Sequence, residues 1–239
     1  MPVATRWDKV TAHDGGSFDA FVAVPESGRG PGMLVFQEIF GVNENIRELS
    51  QRLARSGFVA LAPDMFWRIE PRFERKDESG IGDAMAMIGK FDQDNAREDI
   101  TSALARLLSL PECTGKAGAV GFCLGGTLTY VAAAAARAGG KGLDAAVSYY
   151  GSGIHDMLQL ADGIECPITF HYGDRDPFIP GDQIEAVESA LGSRPDVTIH
   201  RYDAGHAFSN WDAPSMYDET ASNEAWGRTI DFLTEHLQP

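Results

Sequence analysis

The chain has 239 residues, 44% of them hydrophobic and 23% charged, with a formal net charge of −15. That length and composition suit one α/β domain, residues 1–239, with a sizeable core. The acidic balance and the lack of a Lys/Arg cluster exclude a nucleic-acid-binding surface, and an anionic substrate would need arginines placed at its site. No apolar run has the length of a membrane span, and Met1 to Trp7 carries no apolar signal core. The three cysteines, Cys113, Cys123 and Cys166, cannot all pair, and their spacing suits neither zinc nor a redox Cys-x-x-Cys. The expectation is a cytoplasmic protein without nucleic-acid or membrane partners, either a monomer or a small homo-oligomer.

In chain order, His13-Asp14-Gly15-Gly16 is a turn signal between two apolar stretches, and Phe18, Ala20, Val22 and Val24 alternate after it, which predicts an N-terminal antiparallel hairpin. Residues 25–31 read as loop and Met33 to Phe36 as a buried strand. A helix capped by Asn43 buries Ile46, Leu49 and Leu53 and ends at Arg55 before Gly57. Another buried strand runs from Phe58 to Ala62. Residues 65–80 are polar and irregular, a surface excursion. Helical pattern returns at 84–87 and 95–110. A strand over 117–120 leads through a glycine-rich turn to a helix over 127–137. Strands follow at 145–150, 167–171 and 197–202, with helices at 182–191 and at the C-terminus, where Trp226, Ile230, Leu233 and Leu237 share a face. Strands alternating with helices predict a mainly parallel central sheet with helices on both faces.

Gly121-Phe122-Cys123-Leu124-Gly125-Gly126 carries the chemistry. A strand, a cramped turn with glycines around one reactive residue, and then a helix make a nucleophile elbow, here with Cys in place of Ser. The helix N-terminus beside the thiol favours a thiolate, and its free N–H groups can receive an oxyanion. A dinucleotide loop is excluded, since Gly-x-Gly-x-x-Gly needs glycine where Cys123 stands. A buried packing cysteine is the alternative reading of the same residue.

Three other strand ends supply partners, as open α/β sheets collect functional groups at the carboxyl ends of strands. One carries Asp174-Arg175-Asp176-Pro177, in which Asp174 reads as a turn residue and Asp176 as the acid. Another carries Asp203-Ala204-Gly205-His206. The third carries Gln37-Glu38-Ile39, where the second oxyanion donor of this fold stands. The chain order Cys123, Asp176, His206 is that of α/β-hydrolases. The backbone N–H groups of Leu124 and Ile39 are the predicted oxyanion hole. His171 and His155 are weaker candidates for the base.

The segments Gln-Glu-Ile-Phe-Gly-Val-Asn (37–43), Gly-Phe-Cys-Leu-Gly-Gly (121–126), Asp176 with Pro-Phe-Ile-Pro (177–180), and Gly-His-Ala-Phe (205–208) resemble the dienelactone hydrolase (carboxymethylenebutenolidase) family of the α/β-hydrolase superfamily. The resemblance spans nearly the whole chain. It implies hydrolysis of a small enol-lactone by a Cys–His–Asp triad, without metal or cofactor, and a glutamate, matched by Glu38, that contacts the thiol and takes part in its activation. Members acting on dienelactone hold its carboxylate with arginines. One of these follows the catalytic histidine by four residues, where this chain has Asn210. The other lies where this chain reads Ser79-Gly80-Ile81-Gly82-Asp83. Arg68, Arg72 and Arg75 are the candidate replacements, and Trp67, Tyr149 and Phe208 the candidate pocket walls. A general carboxylesterase or thioesterase shares the chemistry. A non-catalytic binding protein and a redox thiol protein are the readings from other classes.

Overall fold

The computed structural model describes residues 3–76 and 78–238. Strands β1 (Ala4–Thr11) and β2 (Ser17–Val24) form the expected hairpin, with Val10 opposite Phe18. Its turn closes through Ala12 N–H to Gly16 O and Gly16 N–H to Asp14 Oδ1, both 2.9 Å. The remaining strands are β3 (Gly30–Phe36), β4 (Val59–Pro63), β5 (Cys113–Phe122), β6 (Ala145–Tyr149), β7 (Ile168–Gly173) and β8 (Val197–Tyr202). They make one eight-stranded sheet in the order β1-β2-β4-β3-β5-β6-β7-β8, antiparallel at β1/β2 and β2/β4 and parallel from β4 onward.

Every residue of β3, β4, β6 and β7 is buried, which matches their continuous apolar runs and requires cover on both faces. The helices are α1 (Glu44–Arg55), α2 (Ile81–Ile88), α3 (Gln93–Ser109), α4 (Leu124–Ala135), α5 (Gly181–Leu191) and α6 (Glu219–Leu237). On β5, Gly118 faces Leu237 of α6 while Gly121 faces Thr129 of α4. Positions three apart on a strand point to opposite faces, so these two helices cover opposite sides.

From β3 the chain winds out to β4 on one side and returns to β5 on the other. That reversal opens a crevice at the carboxyl ends of β3 and β5, the usual ligand position in an open α/β sheet.

Strand β3 begins at Gly30, inside the expected loop, and β5 at Cys113 rather than at residue 117; two further elements also differ. Helix α4 starts at Leu124 rather than at residue 127, because Gly125 and Gly126 are recruited into its first turn despite their poor helix propensity. A 3₁₀ segment, Ile154–Gly163, follows β6 without any helical periodicity to announce it. The excursion after β4 is also more ordered than its polarity suggests. Asp64 accepts from the N–H groups of Phe66 (3.0 Å) and Arg72 (2.6 Å), and Phe40, Phe66, Phe73, Ala84 and Met87 form a small separate core. That core seats α2 over the crevice. Among the described residues, no helix is long and apolar enough to cross a membrane.

Candidate active site

The elbow between β5 and α4 holds Cys123 at φ 55°, ψ −116°, a backbone conformation that a side chain disfavours. Tyr150 (φ 35°) and Ala207 (φ 53°), both also at the carboxyl end of the sheet, share this strain. Neighbouring glycines are required for space: a Cβ at 121 would collide with the carbonyl of Gly125, and one at 125 with the carbonyl of Phe36. Cys123 is the N-cap of α4 and remains partly exposed, with its sulfur at the positive end of that helix.

His206, in the loop after β8, places Nε2 3.2 Å from the Cys123 Sγ and Nδ1 2.7 Å from Asp176 Oδ2. Asp176, just past β7, is aimed by its own turn: Oδ1 accepts from the N–H groups of Phe178 (2.8 Å) and Ile179 (3.2 Å). Asp176 is 5% and His206 8% exposed. Burial alone would lower the imidazole pKa. The Cys123 sulfur and the Asp176 carboxylate outweigh it and push His206 up to about 10. The turn residue Asp174 and the weaker candidates for the base are engaged elsewhere. Asp174 pairs with Arg201, His171 is buried between the hydroxyls of Tyr202 (2.8 Å) and Thr229 (3.2 Å), and His155 lies against Asp156.

Glu38, at the end of β3, is 4% exposed, and burial raises its pKa against the opposing pull of His206, Tyr150 and Asn210. Tyr150 Oη donates to its Oε1 at 3.1 Å, and Asn210 Nδ2 donates to Oε2. Asn210 therefore lies in the site as the partner of Glu38. The residue that sequence reading missed is Tyr150. Its ring packs 5.2 Å from His206 and 5.1 Å from Phe208. The chosen neighbour, Tyr149, instead points into the core and shares a 2.7 Å hydrogen bond with Thr229. Tyr150 stands just past β6 at φ 35°, and nothing local in the sequence sets it apart from Tyr149.

A cavity of about 360 Å³ opens over Cys123, with Glu38, Ile39, Leu124 and His206 also in its walls. As the first residue of α4, Leu124 has an N–H without an intrahelical acceptor. The other two expected walls, Phe208 and Trp67, lie outside the cavity. Phe208 is fully buried, and Trp67 stacks on Phe18 and donates to Asp99 at 2.7 Å. None of the three candidate arginines lines the cavity. Arg68 grips Asp99 through Nε and Nη2, both at 2.8 Å, and reaches Asp14 at 2.6 Å. Arg72 lies 3.2 Å over the Trp7 ring with Asp19 at 3.7 Å, and Arg75 pairs with Asp83 at 2.8 Å. Each guanidinium already has its acidic partner. The cavity walls that sequence reading left out come from α2 (Ile81, Met85, Ile88) and from Ala213 and Met216.

Comparison with known proteins gives the family. Residues 18–237 match the model of the dienelactone hydrolase family. The carboxymethylenebutenolidase of a Pseudomonas species is 35% identical over 94% of this chain and 92% of its own. Carboxymethylenebutenolidase 1 of Cupriavidus pinatubonensis is 31% identical over 97% of each. Among solved structures, a dienelactone hydrolase-like promiscuous phosphotriesterase from metagenomic libraries superposes with a TM-score of 0.80. It is 28% identical, and the match covers 98% of this chain and 99% of that one. An elbow of this shape, on this sheet order and with relatives alike from end to end, places the chain in the dienelactone hydrolase family, as a hydrolase of that type.

Proposed function

We propose that the protein hydrolyses a small ester or enol-lactone through a Cys123–His206–Asp176 triad and an acyl-thioester intermediate. The observation that carries this reading is one imidazole bridging the two other members, 3.2 Å from the sulfur and 2.7 Å from the carboxylate, at the wall of a cavity large enough for a small substrate. In the resting site His206, its pKa pushed up to about 10, holds the proton given up by the Cys123 thiol, and Asp176 orients the ring so that Nε2 faces the sulfur. The thiolate attacks the carbonyl carbon. The resulting oxyanion accepts from the N–H groups of Leu124 and Ile39, each contributing on the order of 3 kcal/mol in such sites. Collapse expels the alkoxide or enolate oxygen, which takes the proton from His206. His206 then removes a proton from water, and the hydroxide attacks the thioester. The second tetrahedral adduct releases the carboxylic acid and restores the thiolate beside a protonated His206.

Glu38 is proposed to guard the resting thiol or assist its deprotonation. Its present partners, Tyr150 and Asn210, hold it in the same cavity as the sulfur. The test is turnover of p-nitrophenyl acetate and of dienelactone before and after iodoacetamide, alongside Cys123→Ala. Alkylation and the substitution should each abolish turnover. Activity that survives both would overturn the reading, and peroxide consumption in its place would favour a redox thiol.

A further inference from the structure

The cavity over Cys123 has an unusual wall for a site expected to receive a carboxylate. Its ionisable lining side chains are Glu38, Glu78, Cys123 and His206, and among the described lining residues there is no Lys or Arg. Its mouth gathers Ile81 (43% exposed), Met85 (55%) and Phe178 (58%), which are all the exposed large apolar side chains among the described residues. Such side chains scattered singly need no explanation, but their convergence on one cavity that contains the reactive sulfur does. The mouth is also built rather than incidental. Glu78 Oε1 accepts from the Ser215 hydroxyl (2.6 Å) and N–H (3.1 Å), which ties the start of α2 to the loop carrying Ala213 and Met216. Arg175 lines an adjoining groove that shares Phe178, His206 and Met216 with the cavity, but its guanidinium is paired with Asp203 at 2.9 Å.

We infer that the substrate carries a neutral, apolar arm on its reacting carbonyl, seated against Ile81, Met85 and Phe178, and that a carboxylate on that arm is rejected. A carboxylate there would lose water, meet no Lys or Arg, and face Glu78 in a chain of net charge −15. This inference rests on the hydrolase reading above and narrows it to a substrate class.

The experiment compares kcat/KM for p-nitrophenyl acetate, butyrate and hemisuccinate, each with the wild type and with Cys123→Ala. Butyrate and hemisuccinate have equal acyl length and differ by a methyl against a carboxylate. Fully desolvating one methylene is worth about a fourfold gain, so butyrate should exceed acetate by at least about fourfold. Hemisuccinate should fall at least about tenfold below butyrate, the direction expected when a site offers a charge no partner. In Met85→Arg the hemisuccinate-to-butyrate ratio should rise roughly tenfold, since an opposite charge then stands at the mouth. Cys123-dependent turnover in which hemisuccinate equals or exceeds butyrate overturns the substrate class and leaves the hydrolase standing. Absence of Cys123-dependent turnover with all three esters overturns the hydrolase reading itself, and this inference with it.

Discussion

His206 decides what the site can do, because it touches both the sulfur and the acid. With its pKa near 10, the ring stays protonated across the neutral range. For a neutral ester, kcat/KM should therefore fall as pH rises through about 10, where His206 loses the proton that the proposed reaction hands to the leaving oxygen. Asp176 is one of the groups that raise this pKa. Asp176→Asn should move the alkaline limb to lower pH and reduce kcat by roughly 10²–10⁴-fold. A pH profile of both proteins, corrected for uncatalysed hydrolysis, checks the direction. Asn210 calls for a different measurement. Asn210→Ala leaves a buried oxygen of Glu38 without its donor and should cost about 1–3 kcal/mol, read from urea midpoints. The meeting of Cys123, Asp176 and His206 at one end of the sheet was legible in the sequence because each follows a recognisable strand in the right chain order. Arg68 was not, because its partners Asp99 and Asp14 are 31 and 54 residues away and nothing local announces them.

At the scale of elements, the elbow is held by backbone contacts that leave no room for side chains. In Gly125→Ala, the new Cβ would meet the carbonyls of Phe36 and Gln37, which belong to β3 and the segment directly after it and cannot swing aside. The expected cost is about 3 kcal/mol, with a fall in thermal midpoint and loss of activity. Strands β3, β4 and β6 were readable from their continuous apolar runs, the hairpin from its turn and the alternation of β2, and α1 from Asn43 and its i, i+3, i+4 spacing. The first turn of α4 was not, since tertiary packing there overrides the weak propensity of two glycines. Nor was the role of α2. A polar excursion gives no hint that a five-residue cluster beneath it will carry Ile81 and Met85 to the mouth of the site.

For the whole molecule, the net charge of −15 acts at distances where no single residue does. It lowers the local concentration of anionic substrates, and salt screens the effect over about 10 Å at 0.1 M. Raising ionic strength from about 0.01 to 0.1 M should increase kcat/KM for p-nitrophenyl hemisuccinate and leave butyrate nearly unchanged. Equal salt responses would mean that the field of the whole chain does not reach the site. This global property was fully legible in composition. The crevice was legible only through topology, since it arises where β3 has β4 on one side and β5 on the other.

The sharpest measurement is mass spectrometry of the enzyme quenched in acid during turnover of p-nitrophenyl butyrate, followed by peptide mapping. The expected result is one added butyryl group, located on Cys123 and removed by hydroxylamine. A butyryl group on any other side chain, with Cys123 unmodified at the steady state and Cys123→Ala still turning over, would contradict it.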